Sequence, residues 1–204
     1  MRYVPGQRAE ISRKVLHVLA AALPVFYMFV QRPFMLRLLV GCVTFAILVE
    51  AARYLSPPFR KFFRQYVGFM VRASEWHRVT GATYVLVGAL LAVALFPKTD
   101  AITALLIQAI SDSAASLIGL HFGRRRFLGK SFAGSGAFFV TALAIVWLRT
   151  PGIGAWGLLV ALFGTLAEAV PSLRVGRLEL NDNLTVPLST GAALWLLRAG
   201  GVAF

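Results

Sequence analysis

Long apolar runs, broken by short polar or proline-bearing stretches, organise this chain. Seven can be drawn, at roughly residues 12–30, 35–54, 80–97, 100–122, 136–149, 153–171 and 184–203, and most approach the ~20 residues an α-helix needs to cross a bilayer. The breaks carry stop signals: Arg32-Pro33, Ser56-Pro57-Pro58, Pro97, Thr150-Pro151-Gly152 and Asn181-Asp182-Asn183. The fifth run is short, which leaves room for tilt or a partly re-entrant neighbour. The pattern predicts an all-α, polytopic transmembrane helical bundle of about seven spans, forming one integral membrane domain over residues 1–204.

Composition agrees. The chain is 58% hydrophobic and 14% charged, with a mean hydropathy of +0.74. A soluble domain of this size needs far more polar surface to cover its core. The first run follows Arg13 and Lys14, as a signal peptide's would. Glu10, Arg13, Lys14 and His17 nevertheless make a dense polar start, and no clear small-residue cleavage site comes after it, so the run reads as a retained span. Cys42 is the lone cysteine and can form no internal disulfide.

Charge adds an orientation. The net charge is +13, from 21 basic and 8 acidic residues. In a soluble protein that excess would suggest nucleic acid; in membrane loops it holds helices against an anionic cytoplasmic leaflet, and no nucleic-acid partner is expected. Sixteen basic residues fall on the side of the amino terminus and five (Arg32, Arg37, Lys98, Arg149, Arg198) on the other, which predicts a cytoplasmic N-terminus and an external C-terminus. Between spans two and three, Phe59, Phe62, Phe63, Tyr66 and Met70 recur at helical spacing among Arg60, Lys61, Arg64 and Arg72. They predict an amphipathic interfacial helix over about 57–74 that anchors on anionic membrane lipids.

The acids say more than the bases. Only Asp100 maps to the external side; Glu10, Glu50, Glu75, Asp112, Glu168, Glu179 and Asp182 map to the cytoplasmic side or the inner half of a span. Ionisable groups at membrane depth are costly and default to a functional hypothesis. Glu10, Lys14 and His17, with Arg13 adjacent, lie on one stripe of span one, which an ordinary salt-bridged helix start would also explain. Glu50 and Arg53 form an i, i+3 pair of structural character. His77, Gly81, Tyr84 and Gly88 share one face of span three, suited to helix packing, and Glu75 beside it is a candidate ligand for a metal or a sugar hydroxyl.

Span four carries the strongest signal. Gln108, Asp112, Ser116, Gly119 and Gly123 form a polar-then-small stripe, with Asp112 flanked by Ser111 and Ser113. A carboxylate there has no basic neighbour in its segment. It needs a cation, for which Mg²⁺ in an oxygen-rich phosphate site is suited, an ion pair from another helix, or a proton. The next loop, Gly123-Arg124-Arg125-Arg126-Phe127-Leu128-Gly129-Lys130-Ser131-Phe132-Ala133-Gly134-Ser135-Gly136, contains a Gly-Lys-Ser triplet like that of a P-loop. The spacing fails, since five residues rather than four separate Gly123 from Gly129, and no strand is predicted before it. The physics survives: glycines, four cations and a helix N-terminus together suit a polyphosphate. Glu168 before Pro171, and Asp182 and Asn183 before Pro187, offer a second oxygen cluster or, for the latter two, a helix cap.

Taken together these residues resemble the CTP-dependent lipid-alcohol kinases, the dolichol, phytol and yeast-type diacylglycerol kinases. The resemblance rests on Glu10-x-x-Arg13-Lys14-x-x-His17, Glu75 through Thr80-Gly81-x-x-Tyr84, Ser111-Asp112-x-x-Ala115-Ser116-x-x-Gly119, Gly129-Lys130-Ser131-x-x-Gly134-Ser135, and Glu168 with Asp182-Asn183-x-x-x-Pro187, in order across nearly the whole chain. It implies a catalytic membrane domain that transfers the γ-phosphoryl group of CTP to a membrane lipid alcohol (polyprenol, dolichol, phytol or diacylglycerol) with Mg²⁺ or another divalent cation. On that reading Asp112, Glu75, Glu168 and Asp182 are metal ligands. Gly129, Lys130, Ser131, Gly134, Ser135, Arg124, Ser116 and Asn183 bind nucleotide or phosphate. Asp112, Lys130, Lys14, Arg13 and His17 are catalytic. The site would face the cytoplasm of a multi-pass protein in a bacterial or archaeal plasma membrane. A CDP-lipid synthase, to which the chain is distantly similar, is the alternative, although a Ser-Pro-Lys-Lys-Thr run and a later Gly-His-Gly-Gly segment are missing. A small ion- or proton-coupled transporter is third, without the inverted repeats that class favours.

Overall fold

The computed structural model describes residues 20–68, 71, 76, 78–128, 130–170, 173–175 and 178–204. The helices are α1 (Ala22–Phe29), α2 (Arg32–Leu55), α3 (Pro57–Tyr66), α4 (Gly81–Leu95), α5 (Lys98–Phe122), α6 (Phe132–Arg149), α7 (Gly157–Ala169, preceded by a 3₁₀ segment Pro151–Trp156) and α8 (Asp182–Ala199). Two antiparallel hairpins interrupt them: β1 (Arg126–Phe127) with β2 (Lys130–Ser131), and β3 (Leu173–Val175) with β4 (Leu178–Leu180).

Four helices are long and apolar enough to cross a membrane: α2, α5, α6, and α7 with its 3₁₀ lead-in; α4 is apolar but shorter. Residues 12–19 of the first expected span, with Arg13, Lys14 and His17, lie outside the described residues. Large apolar side chains on α2, α6 and α7, among them Phe45, Leu48, Val140, Leu148 and Phe163, are exposed, as a lipid-embedded bundle presents them. The interior is built from small and β-branched residues, among them Ala89, Ala92, Ala101, Ala142, Val146, Val160 and Ala161. Helices in lipid gain little from hydrophobicity and associate through such close packing.

Local chemistry sets the boundaries. Pro33 opens α2, and Ser56 ends it while its side chain caps α3, where Pro57 and Pro58 fill the first positions. The amphipathic helix ends at Tyr66, short of the expected 74; residues 69, 70 and 72–75 lie outside the described residues. Its Phe59, Phe62, Phe63 and Tyr66 form a ring-on-ring row. Phe63 packs under the Arg53 guanidinium, and Phe62 and Tyr66 remain exposed. Helix α6 begins four residues before the expected start at 136, because Ser131 caps it by accepting from the N–H of Gly134 at 3.1 Å.

Three basic residues tie helix ends together. Lys98 donates to the last carbonyls of α1, Met28 and Val30, and Arg32 to the last carbonyls of α4, Val93 and Ala94. Arg198 on α8 pairs with Asp100 on α5 at 2.8 Å, and Asp100 is fully buried. This clasp joins the first turn of α5 to the last turn of α8, with Asp182 at the other end of α8.

Both α5 and α8 depart from regular helical hydrogen bonding, α5 at its middle and α8 within its first two turns. Residues Ile107–Ser111 of α5 form a π-turn, which takes in an extra residue and breaks the regular stripe expected from Gln108 to Gly123. Gln108 and Ser111 are buried; Asp112 is half-buried. In α8, Pro187 has no N–H for the Asn183 carbonyl one turn earlier. That carbonyl instead faces Gly88 of α4, where a Cβ would sit 2.5 Å from the oxygen. We predict that Gly88→Val costs about 1–3 kcal/mol by overpacking. Thermal unfolding in detergent should show a lowered midpoint; an unchanged midpoint would contradict so tight an α4–α8 seam.

Candidate active site

Three chain segments far apart in sequence meet on Lys130. The β1–β2 hairpin pairs Arg126 with Ser131 and Phe127 with Lys130, so the lysine stands just before the capped start of α6. The turn places Leu128 at φ 50°, a left-handed backbone that an L-residue with a side chain adopts at a cost. The Lys130 ammonium lies 2.8 Å from an oxygen of Asp182, in the first turn of α8, and 3.1 Å from an oxygen of Glu168, in the last turn of α7. Each carboxylate has a second task. The other Asp182 oxygen accepts from the Asn183 N–H at 3.1 Å, and the other Glu168 oxygen accepts from the Ser135 hydroxyl at 3.3 Å. Glu168 is only 2% exposed, so its charge depends on these partners.

Burial opposes the charge on Lys130. The carboxylates of Asp182, Glu168 and Asp112, with the hydrogen bond to Asp182, more than offset that and hold the ammonium above the ordinary lysine range. Asp112 is therefore close enough to act on the same cation. Three of the acids and the lysine singled out in the sequence share one electrostatic site.

The glycines of the loop do something other than expected. A Cβ on Gly119 would lie 2.8 Å from Ser131 Oγ, and one on Gly134 would lie 2.9 Å from both Ser131 Oγ and the Ala115 carbonyl. Gly123 is closer still to Ser131 and to the Gly119 carbonyl. These glycines let α5 and α6 touch, which fixes the hairpin between them. Phe132 N–H bonds the Arg125 carbonyl and Gly134 N–H bonds Ser131, so two of the first donors of α6 are already used. Ser135 faces Glu168 instead of the loop. Ser116 is half-buried on α5, and Arg124 is exposed at the mouth of the hairpin. Arg13, Lys14, His17, Glu75 and Gly129 lie outside the described residues.

Asn183 links this cluster to α5. Its Oδ1 accepts from Gln108 Nε2 at 2.8 Å, and its Nδ2 donates to the Gly81 carbonyl at 3.4 Å. A second cluster, which the sequence does not reveal, sits at the start of α4. One Glu50 oxygen accepts from the Thr80 N–H at 2.8 Å and from the Thr83 hydroxyl at 3.3 Å, while the other holds Arg53. Arg53 also donates to the Arg78 carbonyl. Glu50 thus caps a helix that has no side-chain cap of its own. Their i, i+3 spacing shows a pair; nothing in it shows the partner thirty residues on.

Among the described residues no group of three or more His, Cys, Asp or Glu side chains gathers tightly enough to hold a metal. The donor chemistry still suits a hard divalent cation. Glu168 and Asp182 offer carboxylate oxygens, and a positive charge, the ammonium, already lies between them.

No protein-family model and no solved structure matches the chain. Sequence relatives do. An uncharacterized protein of Rickettsia prowazekii is 32% identical over 184 residues, covering 88% of this chain and 90% of the relative. The CTP-dependent diacylglycerol kinase 1 of Eremothecium gossypii is 32% identical over 140 residues, 66% of this chain but 44% of that kinase. The CTP-dependent diacylglycerol kinase 1 of Schizosaccharomyces pombe is 27% identical over 166 residues, 72% of this chain and 74% of the relative. The chain has CTP-dependent diacylglycerol kinases as distant homologues, in support of a lipid kinase that uses CTP. It belongs to one family with the Rickettsia protein.

Proposed function

We propose that this protein is a multi-pass membrane lipid kinase that transfers the γ-phosphoryl group of CTP to the hydroxyl of a lipid alcohol at the cytoplasmic face. The observation that carries the reading is the Lys130 ammonium, held between Glu168 and Asp182 within the field of Asp112 and beside a helix N-terminus. A polyphosphate needs cations and oriented donors, and a bound cation needs the carboxylates. Both sets are present in one place.

Phosphoryl transfer asks the protein mainly for positioning and charge neutralisation. Lys130 would turn from the carboxylates to the nucleotide phosphates, with Arg124, Ser116, Ser131, Gly129, Gly134, Ser135 and Asn183 shaping that side of the site. Asp112, Glu168 and Asp182, with Glu75, would hold Mg²⁺, which would supply neutralisation of the phosphate charge. Asp112 would also orient the lipid hydroxyl, whose oxygen gives up its proton to solvent and forms the new bond to the γ-phosphorus as the bond to the bridging oxygen of CDP breaks. Arg13, Lys14 and His17 would close the site from the first span. The aromatic and basic faces of α3 would rest on anionic lipid headgroups.

The test supplies the purified protein with Mg²⁺, CTP or ATP, and a panel of diacylglycerol, polyprenol, dolichol and phytol. A lipid monophosphate and CDP in equal amounts, with CTP preferred, is the expected result. Pyrophosphate and a CDP-lipid would favour nucleotidyl transfer instead, and no product from any alcohol would remove the proposal.

A further inference from the structure

A cleft opens among α1, α4, α5 and α8. Its walls are apolar, with Pro24, Val85, Ala89 and Pro187 among them, and its polar lining comes from Gln108 and Asn183. Gln108 sits in the π-turn of α5 and is 5% exposed, yet its Oε1 has no hydrogen-bond partner among the described residues. Leaving a buried polar atom unpaired costs more than a hydrogen bond gains, so such an atom calls for an explanation.

The identity of that atom is set by its neighbours. Asn183 faces the Gly81 carbonyl, which can only accept, so the Asn183 group turned there is its amide nitrogen. Its oxygen is therefore turned to Gln108, where it requires a donor, and Gln108 must present Nε2. What Gln108 leaves unpaired is consequently an acceptor. A partner must bring a donor into an apolar cleft, and it must be slender, because the cleft is narrow. A hydroxyl on an apolar molecule meets each condition; an ammonium supplies the donor but would lose its hydration against an apolar wall, and a phosphate fits neither the wall nor the acceptor.

We infer that Gln108 is a substrate-binding residue that accepts a hydrogen bond from the hydroxyl of the lipid alcohol, which enters the mouth of the cleft while the carbons stay outside it, because the cleft has room for little more than one water-sized group. This rests on the lipid-kinase reading and adds to it where the acceptor enters. The position is coherent with the site, because Gln108 holds Asn183, Asn183 holds Asp182 through its N–H, and Asp182 holds Lys130. The hydroxyl is thereby placed on the α5 side of the cluster, one turn from Asp112.

The test has a kinetic arm and a binding arm. In mixed micelles, Gln108→Leu should raise the apparent KM for the lipid alcohol about tenfold, and Ala89→Leu, which fills the cleft from α4 and leaves the Gln108–Asn183 bond in place, should do the same with the KM for CTP unchanged. In the binding arm, wild-type protein in nanodiscs without nucleotide is offered 1,2-diacylglycerol or a prenyl alcohol against its O-methyl ether, which keeps the oxygen but loses the donor. Wild type should prefer the alcohol by about tenfold, the equivalent of roughly 1.4 kcal/mol, and Gln108→Leu should show no preference. An unchanged lipid KM in a variant that still binds CTP, a rise in the CTP KM instead, or equal wild-type affinity for alcohol and ether would each overturn the inference. Should a variant not fold, the wild-type comparison of alcohol with ether decides alone. Failure of the kinase reading is distinguishable, since it appears as wild-type binding preference without phosphoryl transfer.

Discussion

Lys130→Met is expected to lower lipid phosphorylation by about 10²–10³-fold, the loss typical of removing one group aimed at transition-state charge. Methionine keeps the stem and deletes the ammonium. It also leaves Glu168, 2% exposed, beside Asp182 without their shared counter-charge. A stability loss of about 2 kcal/mol is expected, at or below the low end for breaking a buried pair because the lysine side chain is 38% exposed. The two effects can be separated. Adding Glu168→Gln and Asp182→Asn to Lys130→Met should recover the unfolding midpoint, which assigns the stability loss to the unbalanced carboxylates, while activity stays lost because two proposed cation ligands go as well. Recovery of both would make Lys130 a structural clamp and nothing more. The pH dependence has a fixed sign. A lysine raised in the folded state contributes stability fully below its unfolded pKa of about 10.4, lost only as pH rises through the higher folded value. Between pH 6 and 9, stability and rate should therefore show no titration from Lys130.

Asp112→Asn should be the second large effect, a loss of about 10³-fold in kcat with the fold retained. The amide is nearly isosteric, so packing in α5 is preserved while the charge is lost. Ionised groups at this depth are kept for function or for a partner, and Asp112 acts on the ammonium that Asp182 and Glu168 hold. Its removal takes a carboxylate from the cation-binding set and an orienting group from the lipid hydroxyl. Steady-state kinetics across a Mg²⁺ titration read both. Full activity with an unaltered Mg²⁺ requirement would take Asp112 out of the mechanism.

Much of this site is legible in the sequence because membranes make polar residues conspicuous. Asp112, Lys130, Glu168 and Asp182 stand out as charges at the ends of apolar runs or within them, and the helical topology then has few ways to bring those ends together. The helices arise from the same contrast between apolar runs and proline-bearing breaks. What the sequence hides is pairing. That Glu50 caps α4, that Ser135 turns to Glu168, and that Gln108 holds Asn183 are contacts between residues thirty or more positions apart. The π-turn at Ile107–Ser111 is hidden too, since one extra residue per turn leaves no compositional mark. The glycines at 119, 123 and 134 read equally well as anion cradle or packing surface, and only the approach of Ser131 distinguishes the two.

The central claim is that the Lys130 cluster serves transfer of a terminal phosphoryl group to a lipid hydroxyl. CTP labelled at the γ-phosphorus, and in a parallel reaction at the α-phosphorus, tests it most directly. The account predicts that lipid product carries the γ label alone, at a rate that falls at least a hundredfold in Lys130→Met. Lipid carrying the α label, or γ-labelled lipid formed undiminished by Lys130→Met, would contradict it.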